Sequence, residues 1–230
     1  MTDRTAFRLL PLLLAAAGIA SAATPASIKP YSADYDASYM GMHGIGHMSL
    51  SQQGGGRWVY SLRIGSSLAQ LSHSTVFDVS GDALRPLSGT DSSAFLVKRV
   101  TKQASYDWKA GQASWSGDVK PERAGPIALQ AGDVDAMLLN LALPRDVAAG
   151  RSLHYRMVDD GRAKPVNCSA GGKEALDAGG KSLDATKVSC DLGGGKQILL
   201  WVVDGMPFPA RILQRKNGKD DIDLRLGKSA

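Results

Sequence analysis

Three methionines and two histidines crowd into the stretch YMGMHGIGHM: Met40, Met42, His43, His47 and Met48. Thioethers select Cu(I) and imidazole accepts several transition metals, so the set invites a copper reading. The spacing argues otherwise. GIG interrupts any helix here, and alternating segments flank the stretch on both sides. In a strand rising about 3.3 Å per residue, His43 and His47 stand about 13 Å apart on one face. Met48 belongs to the other face, with Gly44, Gly46 and Leu50. The glycines would let bulky neighbours such as Tyr39 or Tyr60 approach the backbone. A hairpin turning at Gly41-Met42 is the preferred reading and no metal is expected; copper bound through these five residues is the alternative.

The two cysteines carry the next chemical signal. Cys168 lies eleven residues before Gly179 and Cys190 eleven after it, with the turn-prone DAGGK between. A hairpin centred there places the two opposite each other, inside disulfide range. A bulge at Gly171-Gly172 would shift that register. The bond would be structural, since the redox spacing Cys-x-x-Cys is absent.

Catalytic constellations are missing. There is no Gly-x-Ser-x-Gly, His-Glu-x-x-His, phosphate-cradling loop or dinucleotide fingerprint. His73 and His154 stand alone in strand-like surroundings. Asp133 with Asp135, Asp159 with Asp160, and the other acidic pairs read as caps, turns or solvent faces. The chain is expected not to be an enzyme and to need no cofactor; an unrecognised hydrolase is a further alternative.

The elements that must position these residues are mostly strands. YSADYDASY puts Tyr31, Ala33, Tyr35, Ala37 and Tyr39 on one face, and RWVYSLRIG does the same with Trp58, Tyr60, Leu62 and Ile64. Ile222, Leu224 and Leu226 repeat the pattern near the end. STVFDVSG, FLVKRVT, ASYDW, ASWSG, SLHYRMV, QILLWVV and ARILQRK are further strands, punctuated by QGGGR, SGDALRP, KAGQ, LGGGK and KNGKD. Around KAGQ, Trp108 would pair with Ala113 and Tyr106 with Trp115. QILLWVV is apolar throughout, so both its faces need cover. One segment breaks the rhythm: Val134, Met137, Leu138 and Leu141 recur at helical spacing, with Asp133 as N-cap and Pro144 as terminator. The fold expected is mainly β, a curved antiparallel sheet or half-open β-barrel closed by one short α-helix.

Arg4 and Arg8, the apolar LLPLLLAAAGIA and the small residues SAA read as a signal peptide over 1–23, removed to leave one β-rich domain over 24–230. The apolar run falls short of the roughly 20 residues of a membrane anchor, and no cysteine sits at the cleavage point to carry a lipid. The protein is expected in the periplasm. The formal charge of +5, lowered by one with the leader, fits solubility or weak attraction to anionic envelope surfaces. No nucleic-acid module is present, and Lys98, Arg99 and Lys102 read as the solvated side of a strand.

The segments YSADYDASYMGMHGIGHMSL, GDVDAMLLNLAL, SLHYRMVDDGRAKPVNCSA and WVVDGMPFPARILQRKNGKDDIDLRL together resemble an exported Gram-negative family catalogued as domain of unknown function 3108. The resemblance covers nearly the whole chain after the leader and implies no activity. The closing strands are similar at fold level to the curved sheets of periplasmic lipoprotein carriers. That similarity implies an apolar cavity, lined by Tyr31, Tyr35, Tyr39, Trp58 and Tyr60, for a lipid-like or other apolar envelope ligand. The aromatics and the helix filling that space completely is the competing expectation.

Overall fold

A computed structural model describes residues 28–39, 42–67 and 69–228. Its strands follow in chain order: β1 (Tyr31–Tyr39), β2 (Met42–Gln53), β3 (Arg57–Gly65), β4 (Ala69–Ser80), β5 (Ala83–Phe95), β6 (Lys98–Asp107), β7 (Gln112–Gly117) and the short β8 (Ile127–Ala128). The helix α1 (Ala136–Ala148) comes next, then β9 (His154–Asp159), β10 (Arg162–Ala178), β11 (Lys181–Gly193), β12 (Lys196–Val203), β13 (Arg211–Lys216) and β14 (Lys219–Leu226). Two antiparallel meanders, β1–β8 and β9–β14, join side by side through β1 and β14 into one 14-stranded sheet. The sheet curls until its edges, β8 and β9, lie at one seam, so the barrel is nearly closed.

Period-two alternation puts Tyr35, Met48, Leu50, Tyr60, Phe77 and Leu224 on the concave face, where α1 adds Met137, Leu138, Leu141 and Leu143. The helix therefore plugs the barrel. QILLWVV lies in β12 and is buried on both faces, as its composition requires. Its outer side chains, Leu199 and Trp201, pack with Leu176, Ala178, Ala185 and Leu213. The cover comes from the long β10–β11 hairpin, which folds over until the Gly179 N–H donates to the Leu226 carbonyl.

Several local expectations change. The β1–β2 register pairs Tyr39 with Met42, so Met42 belongs to β2 and not to the turn expected at Gly41-Met42; Gly41 lies outside the described residues. In β6–β7, Tyr106 pairs with Ala113 and Ala104 with Trp115. The Asp107 carboxylate accepts from the backbone N–H groups of Lys109 and Ala110 and so holds a four-residue turn. Tyr106 and Trp115 still touch edge to face as diagonal neighbours, 6.0 Å between centroids. FLVKRVT is not one strand: Phe95 ends β5, Leu96-Val97 turns, and Lys98 begins β6.

The helix is capped by Asp135, not Asp133. Val134 is held in a parallel bridge against β9, donating to the Arg156 carbonyl and accepting from the Val158 N–H, so the helix cannot start before it. Asp133 instead accepts from the Gln130 N–H and pairs with Arg156 at 2.6 Å. Pro144 does not end α1 but lies inside it. The lost backbone bond costs about 3 kcal/mol, and the burial of Leu141, Leu143 and Pro144 itself outweighs it.

The disulfide Cys168–Cys190 is present. A Gly179-Gly180 turn pairing Ala178 with Lys181 would alone set Cys168 against Asp191. The bulge between Ala170 and Lys173 slips the register by one and brings Cys168 opposite Cys190. The bulge makes the match, because a one-residue slip exchanges the faces of a strand.

Candidate functional site: a charged layer in one end of the barrel

Towards one end of the barrel the inward positions change from apolar to charged while staying in phase with the core. His73 shares its face with Thr75 and Phe77 along β4. Lys102 does so with Ala104 and Tyr106 along β6. Asp159 comes after Met157 on β9, Lys164 precedes Val166 on β10, and Lys196 precedes Ile198 on β12. Register places His73 opposite Asp91, and Asp91 opposite Lys102. These side chains, with Arg123, Asp135, Asp160, Arg162, Tyr106 and Trp115, line a cavity of about 360 Å³.

The seam forms one wall. The free edge of β9 is satisfied without a ladder: Val134 bridges Arg156 and Val158, the Tyr106 hydroxyl donates to the Val158 carbonyl at 3.0 Å, and Arg123 donates to the Asp160 carbonyl at 2.6 Å. Covering an edge in this way removes a template for strand addition. Gly161, in the β9–β10 turn, fits because it lacks a side chain: a Cβ there would collide with the Arg123 carbonyl oxygen. Asp160 is shared by Lys102 at 2.9 Å and Arg123 at 3.3 Å, one carboxylate between two cations.

The floor is acidic, with Asp135 fully buried and Asp159 partly so. Both oxygens of Asp135 are engaged, Oδ1 by the Leu138 N–H at 2.7 Å and Oδ2 by the Thr75 hydroxyl at 2.5 Å. Burial nevertheless raises its pKa against those bonds. Asp159 is pushed up to about 6, first by burial and then by the charge of Asp135, with His73 partly opposing. Above this floor sit Arg162, Lys164 and Lys196. Among the described residues none of the three has a carboxylate at ion-pair distance; Lys164 reaches only the Leu192 carbonyl. Burial lowers the Lys164 pKa, and the neighbouring cations Lys196 and Arg162 lower it further, with the charge of Asp159 partly opposing them. The cavity thus offers uncompensated cations over buried carboxyls, with Trp115 and Tyr106 as an apolar side wall.

Of the aromatics expected to line a cavity, Tyr35 and Tyr60 are fully buried. The Tyr35 hydroxyl donates to the Pro209 carbonyl, and Tyr60 stacks on Phe208 at 4.9 Å. Trp58 packs half-buried against the same core. Tyr39 borders a small dent of about 30 Å³ with Met42 and Ile64. Tyr31 does line a cavity, an apolar cleft of about 360 Å³ between α1 and the β12–β13 loop, with Leu50, Leu141, Pro144, Arg145 and Met206. The Arg145 Nε there is buried without a hydrogen-bond partner among the described residues, and burial lowers the guanidinium pKa.

The Met/His stretch does not converge. Met48 points inward and accepts from the Tyr60 hydroxyl, whereas His43 and His47 lie on the outer face, His47 paired with Asp34 at 2.6 Å. Met42 begins β2 and Met40 lies outside the described residues. Gly44 and Gly46 admit other neighbours than Tyr39 or Tyr60: the Gly65 carbonyl at the first, the Tyr35 Cβ at the second.

The charged layer escaped sequence reasoning because its members come from distant strands. A signal was present: a charged residue in phase with buried neighbours, as His73 is with Phe77 and Lys164 with Val166, faces the barrel interior.

Among solved structures, the chain is similar to one titled "Crystal Structure of Beta-barrel-like Protein of Domain of Unknown Function DUF1849 from Brucella abortus". The two share 13% identity and a TM-score of 0.43, covering 86% of this chain and 96% of that one. No curated protein matches. The profile of the family described as Protein of unknown function (DUF3108) matches residues 23–225, and the chain belongs to that family.

Proposed function

We propose that the protein is an exported, non-catalytic binding protein whose polar cavity takes an anionic, hydroxyl-rich ligand of the sugar-acid or sugar-phosphate class. One observation carries this reading: Arg162, Lys164 and Lys196 line the cavity, unpaired among the described residues, beside the buried Asp135 and partly buried Asp159. The cations would hold the anionic group. Asp159 and His73 would exchange hydrogen bonds with hydroxyls, and Trp115 would cover a sugar face. Binding is favoured over turnover because both oxygens of Asp135 already serve the α1 cap and Thr75. Export is supported by the leader-like 1–23 and by the disulfide, which suits an oxidising compartment.

The test is calorimetric titration and Trp115 fluorescence with glucuronate, galacturonate and glucose 1-phosphate, and with glucose as the neutral control. Binding of an anionic sugar, lost in Lys164→Ala/Lys196→Ala and absent for glucose, is expected. No binding by any anionic sugar, or equal binding of glucose, overturns the reading. A second reading has its own observation, the Arg145 Nε in the apolar cleft, which has no partner among the described residues. There Tyr31 and Leu141 would hold an acyl chain and Arg145 its carboxylate. Displacement of a fluorescent fatty acid by oleate, weakened in Arg145→Gln, tests it.

A further inference from the structure

The tip of the β5–β6 hairpin is apolar and bare. Phe95 is 50% exposed, Leu96 69% and Val97 103%. Scattered exposed apolar residues are ordinary, but three in a row at a hairpin apex are not. The turn chemistry is also against them. Leu96 has φ +52°, a left-handed conformation that turns normally give to Gly, Asn or Asp. Val97, a β-branched residue, completes the turn. Within the fold these side chains gain little burial in return.

Immediately beyond the tip the chain becomes cationic. Lys98 and Arg99 are exposed, and among the described residues neither has an ion-pair partner. Arg99 lies in a cross-sheet row with Ala94, Gln70, Gly65 and Ile45, through successive registers. Ile45, itself 68% exposed, therefore adds apolar surface at the same end of the barrel. An apolar apex backed directly by two cations is the arrangement that enters the headgroup region of an anionic bilayer. The apolar side chains reach the acyl boundary and the cations meet lipid phosphates.

We infer that the Phe95–Arg99 hairpin tip docks the protein on an anionic lipid surface. The tip also sits beside the polar cavity. Asp91 and Phe95 share the inner face of β5, four residues and about 13 Å apart, and Asp91 borders the cavity. Docking through the tip would hold the cavity mouth close to the membrane plane. The inference does not depend on what the cavity binds.

The test is vesicle flotation of the protein and its variants, all carrying the same N-terminus. One set of vesicles contains phosphatidylethanolamine with phosphatidylglycerol, the other phosphatidylcholine alone. The protein is expected to float with the anionic vesicles and to be released by salt. Phe95→Ser/Leu96→Gly/Val97→Ser should lose binding at least tenfold; because Gly suits the turn, this variant should fold as well as the parent. Lys98→Ser/Arg99→Ser should bind the anionic vesicles about thirtyfold more weakly, the effect of two cations at such a surface. A local readout accompanies flotation: Val97→Trp should shift its emission to the blue on adding anionic vesicles. Failure to bind anionic vesicles, undiminished binding by the tip variant, or an unshifted Val97→Trp emission overturns the inference. Retention of the tip by a protein partner with no vesicle binding does so too.

Discussion

Replacing Asp159 by Asn should stabilise the folded protein, and the gain should depend on pH. In the folded state the Asp159 carboxyl holds its proton up to about 6, against 3.8 for the unperturbed group. Between those values the folded state binds more protons than the unfolded one, so stability falls as pH rises through the window and levels off above it. The ionised group therefore costs on the order of 1–3 kcal/mol above the window, access of water through the cavity mouth holding the figure down. For a domain of this size that corresponds to a rise in Tm of about 2–12 °C. Urea unfolding of parent and Asp159→Asn across the window would show the two stabilities converging towards pH 4 and separating towards pH 7.5. If Asn destabilises at neutral pH, Arg162 and its neighbours dominate the site and burial of the carboxyl does not. A difference independent of pH would equally exclude a burial cost.

Reduction of Cys168–Cys190, or Cys168→Ser/Cys190→Ser, should cost about 3 kcal/mol by the loop-entropy relation for a separation of 22 residues; a thermal scan with and without reductant measures it. Tyr106→Phe should cost about 1–3 kcal/mol by stranding the Val158 carbonyl at the seam, with hydrogen exchange rising first in β9. Gly44→Ala should destabilise by about 1–3 kcal/mol because its Cβ would meet the Gly65 carbonyl oxygen of β3; unchanged unfolding would show that β3 yields there.

The strands were legible because each carries its own period, and alternation alone assigned Tyr35, Met48 and Tyr60 to the interior. Registers were legible only where the turn was simple. KAGQ misleads because the Asp107 side chain lengthens the turn by two residues, and the cysteine pairing came right because a bulge cancelled a one-residue offset in the turn. The helix boundary failed for a long-range reason, since Val134 is claimed by β9. Closure of the barrel lies further out of reach. No local pattern says that β9 will meet the side chains of β6, so no local pattern brings His73, Asp135 and Asp159 together.

That convergence is also what the proposed binding role rests on. A fold optimised for stability would pair Arg162, Lys164 and Lys196 with Asp91 or Asp159, or would replace them with apolar side chains that continue the core layer beneath. The barrel does neither: it keeps Asp159 unfavourably buried and leaves the three cations facing one another across an open cavity. On the proposed reading, a ligand of opposite charge with many hydrogen-bonding groups would recover the free energy given up there. Charge reversal separates this from mere tolerance. Lys164→Glu/Lys196→Glu should relieve the cation repulsion and leave folding intact or improved, yet abolish binding of an anionic sugar. Retained binding would mean that the cations serve the fold alone.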